Sequence, residues 1–141
     1  MAKIVLISCV KKKQKGEKVP ARELYISPLF KKAWKYAETL NADKIYILSA
    51  KYGLLSPETL IADYDVTLLK MKKSERQHWA NSVFQQMVAE NIDLDNDNFV
   101  ILAGKTYCEH LIERIHNYTL PYNGKRSIGY ILQFLTNELS E

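Results

Sequence analysis

A chain of 141 residues is long enough to bury one continuous hydrophobic core and too short for two ordinary ones, so we expect a single domain spanning residues 1–141. Apolar residues make up 47% and charged residues 26% of the sequence, as is typical of globular proteins. No apolar run approaches the roughly 18 residues that a membrane-spanning helix needs. These features predict a soluble protein with no membrane partner.

The net charge of +4 is unevenly distributed along the chain. Residues 1–56 carry twelve Lys and Arg against four Asp and Glu, whereas residues 57–141 carry eight against twelve, so the two parts have net charges of +8 and −4. A concentrated basic region favours a nucleic acid or a phosphate-bearing small molecule as the partner. A solvated, lysine-rich surface is the simpler alternative.

The two cysteines, Cys9 and Cys108, are too few for a disulfide scaffold and are not spaced as metal-ligand pairs. We therefore expect a cytoplasmic, reducing environment, no metal and no cofactor. Residues 2–10 are apolar, but no basic region precedes them and they run directly into lysines. This pattern predicts a first strand instead of a signal peptide.

Three short apolar runs predict strands that are buried on both faces of a parallel sheet. These runs cover residues 3–9, 44–50 and 98–104. Between the first two, Ser27 is a helix cap with Pro28 at the first helical position, and Ser74 is predicted to cap a second helix before the third strand. Helical spacing predicts two more helices, around residues 111–115 and 128–135.

The resulting order, βαβαβαα, predicts an α/β fold: a three-layer sandwich around a small, mainly parallel sheet. Ligands of such sheets bind at the carboxyl edge, where successive strands end. Residues 51–73 are too many for an ordinary crossover loop, and long ordered loops in compact domains are more often functional than decorative.

The segment after the first strand places a hydroxyl, a thiol and three ammonium groups close together. Ser8, Lys11, Lys12 and Lys13 are predicted to bind an anion, unless the lysines are an exposed charge run. Cys9 is either a small buried residue or a nucleophile, because neighbouring ammonium groups favour its thiolate.

Two residues ahead of the first helix and one loop residue are further candidates. We expect Arg22 and Tyr25 to reach the carboxyl edge, where Arg22 either clamps an anion or pairs with a carboxylate such as that of Glu23. Asp63 and Asp65 flank a tyrosine in the long loop and could bind a metal or act as acid and base. The alternative is that Asp63 forms a turn and Asp65 pairs with a helix end or a lysine. Asp65 and Cys9 are the catalytic candidates.

The second strand ends in a short turn that contains Ser49, Lys51, Tyr52 and Gly53. Ser49 and Lys51 supply hydrogen-bond donors, and Gly53 permits a backbone shape that a side chain would block. Tyr52 either stacks on a base or packs under the loop.

The third strand ends in a similar pattern of glycine, lysine and hydroxyl groups. Gly104 and the amides after it are predicted to bind an anion, with Tyr107 beside a base or sugar. A P-loop needs a further glycine upstream of Gly104, and that position falls at or near Val100, inside the strand. The missing glycine argues against ATP hydrolysis.

Four segments together resemble a family of short bacterial and phage proteins of unknown function that is distantly similar to YaaA, the peroxide-stress protein. They are residues 7–13, 20–25, 48–55 and 61–68. Ser8, the Leu-Ser-x-x-Tyr-Gly-Leu-Leu pattern at residues 48–55, and Tyr64 match the YaaA-like signature. The resemblance implies DNA binding and protection from oxidative damage. The chain has no helix-hairpin-helix glycine pattern, so duplex binding is not carried over.

The leading hypothesis is a protein that binds a nucleic acid or a nucleotide, with lysines and Arg22 on phosphate and tyrosines on a base or sugar. An enzyme that acts on a nucleotide, nucleoside or base is the second hypothesis, and it requires a carboxylate or thiol in an enclosed pocket. A protein-interaction domain without a working site is the third. The sequence does not indicate an oligomeric state.

Overall fold

The computed structural model describes residues 1–9, 13, 15–122 and 128–140. Its strands are β1 (Lys3–Ser8), β2 (Val19–Pro20), β3 (Lys44–Ser49), β4 (Gly53–Leu55), β5 (Leu60–Ile61), β6 (Asn98–Leu102) and β7 (Asn117–Thr119). Its α-helices are α1 (Ala21–Leu24), α2 (Pro28–Glu38), α3 (Lys73–Ala89), α4 (Lys105–Cys108) and α5 (Ile128–Leu139). A short 3₁₀ helix covers Leu68–Lys70.

A 5-stranded sheet in the order β4-β3-β1-β6-β7 forms the centre of the fold. β1 runs parallel to β3 and β6, and β7 runs parallel to β6, while β4 is antiparallel to β3. The side chains of Ile4, Val5, Leu6 and Ile7 in the central strand are at most 1% exposed. The expectation of a mixed α/β fold around a mainly parallel sheet is therefore confirmed.

The three predicted strands are β1, β3 and β6, and their carboxyl ends align. Ser8 lies opposite Leu48 of β3, and Ile7 lies opposite Leu102 of β6. The short strands β4 and β7 and the separate antiparallel pair of β2 and β5 were not predicted. Strands of two or three residues give too little periodicity to be recognised in a sequence.

Helix α2 begins as its sequence predicts. The Ser27 hydroxyl accepts a hydrogen bond from the Phe30 N–H at 3.2 Å, and Pro28 occupies the first turn. One side of the helix buries Phe30, Ala33 and Ala37. This face packs against β1, and the helix also contacts α5.

Two helix predictions need correction. Helix α3 does not begin with Ser74 as its cap, because the Glu75 carboxylate accepts a hydrogen bond from the Lys72 N–H at 3.0 Å and the helix starts at Lys73. The helix expected around residues 111–115 is replaced by a series of turns after the four-residue α4. Leu111 and Ile115 are buried there, so their apolar spacing reflects burial and not a continuous helix.

The long segment between β4 and α3 is fixed to the rest of the chain by backbone hydrogen bonds. The N–H groups of Ala21 and Arg22 donate to the carbonyl oxygens of Thr59 and Pro57, at 2.8 and 2.9 Å. Residues 62–67 form no regular structure. Within the described parts of the chain, no helix is long and apolar enough to cross a membrane.

Gly53 adopts a left-handed backbone, with φ of +73°, and a Cβ atom placed there would collide with Oε1 of Gln86. We expect Gly53→Ala to lower the free energy of unfolding by more than the ~1 kcal/mol that the backbone conformation alone costs. Gly53→Ala in a Gln86→Ala background is the matched control, since it keeps the φ of +73° and removes the side chain with which the added Cβ collides. Equal losses in urea denaturation would contradict the role of Gln86.

Candidate functional site

The carboxyl ends of β1, β3 and β6 lie at one edge of the sheet, because these strands are parallel. This arrangement confirms the expectation that Ser8, Lys51, Gly53 and Gly104 emerge at a common edge, since each follows or ends one of these strands. The four residues do not line one common pocket, however. Ser8 and Gly104 line one cavity, while Lys51 and Gly53 line another.

The first cavity lies where the order of the strands reverses. The chain passes from β1 to β3 on one side and then to β6 on the other side, so β1 and β6 are neighbours whose connections diverge. A crevice at this position is the usual ligand site of open α/β sheets. We call it the switch-point cavity; it has a volume of about 310 Å³, with Ser8 at the end of β1 and Gly104 just after β6.

The walls of the switch-point cavity are mostly apolar, with Phe30 from α2 and Ile131 from α5 among them. Tyr122 also lines it and is 3% exposed, and its hydroxyl has no hydrogen-bond partner among the described residues. Burial raises the pKa of Tyr122, so the phenol stays neutral and keeps its proton. A buried donor without a partner costs about 1–3 kcal/mol, and a ligand in the cavity would recover that energy.

The second cavity is an open groove of about 500 Å³ between the turn at residues 50–53 and helix α3. We call it the turn groove. Helix α3 contributes Ser74, His78, Ser82 and Gln86, which recur every four residues and therefore lie on one face. The turn contributes Lys51 and Tyr52, and their role in binding a ligand stays a prediction.

Hydrogen bonds to Gln86 fix the turn at the edge of the groove. The Leu54 N–H donates to Oε1 of Gln86 at 2.8 Å, and Nε2 of Gln86 donates to the Tyr52 carbonyl at 2.9 Å. The amide of Gln86 thus uses both ends to hold the backbone on either side of Gly53. The backbone that carries Lys51 and Tyr52 is therefore fixed at the edge of the groove.

A buried cluster of hydroxyl groups lies beneath the turn. Ser49 Oγ accepts hydrogen bonds from the N–H groups of Lys51 and Tyr52, at 3.2 and 3.0 Å. Because these donors occupy both lone pairs, the Ser49 proton is left for the Tyr64 hydroxyl, 2.8 Å away. A hydrogen bond of 2.6 Å joins the hydroxyl groups of Tyr64 and Tyr25. The cluster joins the long loop to the end of β3.

Two predicted ligand contacts belong to this cluster. Ser49 is 0% and Tyr25 1% exposed, and neither lines the switch-point cavity or the turn groove. Lys13 is 9% exposed, and its ammonium group lies 4.5 Å from the centre of the Tyr64 ring, where a cation is attracted by the π electrons. Lys11 and Lys12 lie outside the described residues, so the anion site predicted for them stays a prediction.

Arg22 lies in the ion pairs that were weighed as the alternative to an anion clamp. Its Nε is 2.7 Å from Glu58 and its Nη1 is 3.7 Å from Glu23. The hydrogen bond to Glu58 raises the pKa of the guanidinium. Since two carboxylates already neutralise it, Arg22 is a poor choice for binding a second anion.

Neither catalytic candidate, Cys9 or Asp65, is placed where it could act on a ligand in one of the two cavities. Cys9 is buried, and its thiol donates a hydrogen bond to the Tyr107 hydroxyl at 3.4 Å. Burial raises the pKa of Tyr107, with the Cys9 thiol as a further cause. Asp65 is exposed and lines neither the switch-point cavity nor the turn groove.

Tyr107 and Gly104 follow β6, as predicted. Helix α4 has only four residues, and the N–H groups of Tyr107 and Cys108 already donate to the Gly104 carbonyl. Tyr107 lines the switch-point cavity, and its ring meets that of Trp79 edge to face, with centroids 5.8 Å apart. Trp79 lines the turn groove, so this aromatic pair separates the two cavities.

Sequence reasoning missed several residues of this edge. Nothing in the sequence around Tyr122 marks a site, and Tyr64 entered only through the family resemblance and as the neighbour of Asp63 and Asp65. His78 forms no ligand pattern with the other histidines. The four-residue spacing of Ser74, His78, Ser82 and Gln86 was the available signal, and it marks a polar stripe beside the buried face of α3.

Comparison with known proteins shows the family of the chain and assigns it no function. Residues 4–137 match the Family of unknown function DUF6884, and the chain belongs to that family. The uncharacterized protein YfjM of Bacillus subtilis strain 168 is 30% identical over 150 residues, which cover 100% of this chain and 97% of YfjM. No solved structure matches the chain. Membership of a family of unknown function is thereby confirmed, while the relation to YaaA stays a prediction.

The hydroxyl cluster predicts a specific loss of stability. We expect Tyr64→Phe to lower the free energy of unfolding by about 1–3 kcal/mol, because Ser49 and Tyr25 would be left with unsatisfied buried hydroxyl groups. Tyr52→Phe removes a hydroxyl from a residue that is 36% exposed and should change stability by less than about 0.5 kcal/mol. The two variants differ from the wild type by one oxygen each, and urea denaturation at neutral pH compares them directly.

Alkaline pH should destabilise the protein. Burial raises the pKa of Tyr25 and of Tyr64 above the unfolded value of about 10, so stability is complete below pH 10 and is lost as the pH rises, since the unfolded state ionises first. Each such tyrosine contributes a slope of about 1.4 kcal/mol per pH unit. Tyr64→Phe should have a shallower slope above pH 10, and Tyr118→Phe, at an exposed site, should retain the wild-type slope.

Proposed function

We propose that this protein binds a nucleotide, either free or as part of a nucleic acid, with the base and sugar in the switch-point cavity. The observation that carries this proposal is the Tyr122 hydroxyl, a buried donor without a partner among the described residues that lines an apolar cavity at the strand ends. A heterocyclic base offers both an apolar face for the walls and an edge of acceptors for this donor.

The dimensions of the cavity limit the ligand. A volume of about 310 Å³ lies at the lower end of the range for small-molecule sites, which suits one base with its sugar better than a larger cofactor. Ser8 and Thr106 line the same space and add hydroxyl groups for the sugar or base. Lys105 also lines the cavity and is exposed, where its ammonium group would meet a phosphate in solvent.

The topology supports the same position for the ligand. Right-handed crossovers that run from β1 to β3 and back to β6 would put α2 and α3 on opposite faces of the sheet, which is the proposed three-layer arrangement. The resemblance to YaaA-like proteins, which are associated with DNA binding and protection from oxidative damage, supports a nucleic-acid ligand. A role in stress protection or nucleic-acid metabolism is part of this proposal.

Binding is favoured over catalysis by the chemistry of the cavity. Cleavage of a glycosidic bond requires a carboxylate beside the sugar. Among the described residues that line the switch-point cavity there is no Asp or Glu, and Asp65 is exposed on the loop. The thiol of Cys9 is buried and engaged with Tyr107.

Calorimetric titration with nucleoside monophosphates tests the proposal. Tyr122→Phe should weaken the binding of at least one of them by about tenfold, because a single hydrogen bond in an apolar site is worth up to about 1.5 kcal/mol. Tyr118→Phe, which removes an exposed hydroxyl outside this cavity, is the control. Tyr122→Phe should also leave stability unchanged or increased, because it removes an unsatisfied donor.

A second measurement covers the polymeric form of the ligand. Single-stranded oligonucleotides should bind at about 50 mM salt and more weakly at about 200 mM salt, because phosphate contacts release counterions. If no nucleoside, nucleotide or oligonucleotide binds at low salt, the proposed function is wrong.

A further inference from the structure

We infer that the ligand is a single-stranded segment of at least two nucleotides, with one base in the switch-point cavity, the next on Tyr52 in the turn groove, and Lys70 on the phosphate between them. This inference rests on the proposed function and deepens it. It follows from the position of the two cavities relative to one short segment of the long loop, residues 69–71.

The two cavities open on either side of that segment. Leu69 lines the switch-point cavity and Met71 lines the turn groove, so Lys70 stands between the two openings. Lys70 is exposed, and the described residues offer it no ion pair. Beneath it, the edge-to-face pair of Trp79 and Tyr107 forms the common wall. A ligand that fills both cavities must therefore cross a ridge that carries a positive charge.

The turn groove has the chemistry of a second nucleotide site. Tyr52 is 36% exposed, and an edge-to-face contact with Tyr64, with centroids 5.6 Å apart, holds its ring in place. An aromatic ring that is fixed and exposed is a platform on which any base can stack. The Lys51 ammonium lies over the same ring, 5.2 Å from its centre, so a base that stacks there displaces it from the ring face towards the attached phosphate.

The polar stripe of α3 completes the site. His78 and Ser74 are exposed on the groove side, and within the described chain their side chains form no hydrogen bond or ion pair. The Glu75 carboxylate also lines the groove; it accepts a hydrogen bond from the Lys72 N–H and keeps its charge, so a phosphate must lie on the Lys51 side, away from it. On that side and along the stripe, an ammonium, an imidazole and a hydroxyl can donate to phosphate oxygens.

Rigidity favours recognition here over a loose surface contact. Ser49 and Gln86 fix the backbone of the turn through four hydrogen bonds, so Lys51 and Tyr52 pay little backbone entropy on binding. A duplex would keep its bases stacked and paired, and they would not reach either cavity. The ligand is therefore single-stranded.

Competition titrations with 5′-phosphorylated oligonucleotides of one, two and four nucleotides test the inference, each in its ribose and deoxyribose form. The dinucleotide should bind at least tenfold more tightly than the mononucleotide. Tyr52→Ala should abolish this advantage while leaving the affinity for the mononucleotide unchanged. His78→Ala, at an exposed helix position, should reduce the difference in affinity between dinucleotide and mononucleotide severalfold. This variant replaces Tyr52→Ala as the test if Tyr52→Ala disturbs the loop.

The role of Lys70 has its own signature. Lys70→Gln should weaken the dinucleotide severalfold and lower the slope of log affinity against log salt by about 0.7, the contribution of one phosphate contact in a single strand. Mononucleotide binding should not change. Lys44→Gln is the matched control, because Lys44 is exposed at the amino end of β3, at the opposite edge of the sheet.

The outcomes separate the two proposals. Equal affinities for the mononucleotide and dinucleotide, with Tyr122→Phe still weakening both, would overturn the two-site inference and leave the proposed function standing. Equal binding of duplex and single strand would overturn it as well. If the wild-type protein binds no nucleotide or oligonucleotide at low salt, the proposed function and the two-site inference are both overturned. A preference between the ribose and deoxyribose series identifies the strand as RNA or DNA.

Discussion

Ser49 makes the hydrogen bonds on which the carboxyl edge of this sheet depends. Its hydroxyl accepts from the N–H groups of Lys51 and Tyr52 and donates to Tyr64, and its carbonyl accepts from Nε1 of Trp79 at 2.9 Å. One buried residue at the end of β3 therefore connects the turn, the long loop and helix α3. Because it is 0% exposed, water cannot replace any of these partners, and each lost bond would leave an unsatisfied polar group.

The two cavities follow from this constraint. Tyr64 and Leu68 are buried, at 8% and 0% exposure, which brings the loop down onto the strand ends between them. The residues that follow then form the ridge, with Leu69 facing one cavity and Met71 the other. The long loop thus separates two neighbouring cavities at the carboxyl edge.

Two kinds of buried tyrosine distinguish support from function at this edge. Tyr25 and Tyr64 have their hydroxyl groups paired, lie outside both cavities and stabilise the loop. Tyr122 is equally buried, yet its hydroxyl lacks a partner among the described residues and lines the cavity at the switch point. A buried tyrosine that only supports the fold would lower stability if its hydroxyl had no partner. A tyrosine that binds a ligand, by contrast, needs a hydroxyl that is free to donate. This contrast is the reason to place the ligand beside Tyr122.

Local sequence determined the strands β1, β3 and β6 and the Ser27 cap of α2, because apolar runs and caps are encoded by neighbouring residues. The crossovers between these strands are encoded in the same way, and they give the parallel order that brings Ser8, Lys51 and Gly104 to one edge. The allocation of candidates was decided by tertiary contacts. Tyr25 and Ser49 became a supporting cluster, Arg22 found Glu58, and Tyr122 came to line a cavity, through residues 15 to 39 positions away or on other elements. A sequence pattern reports which groups are available, but their partners depend on the three-dimensional path of the chain, and partners decide whether a polar group supports the fold or awaits a ligand.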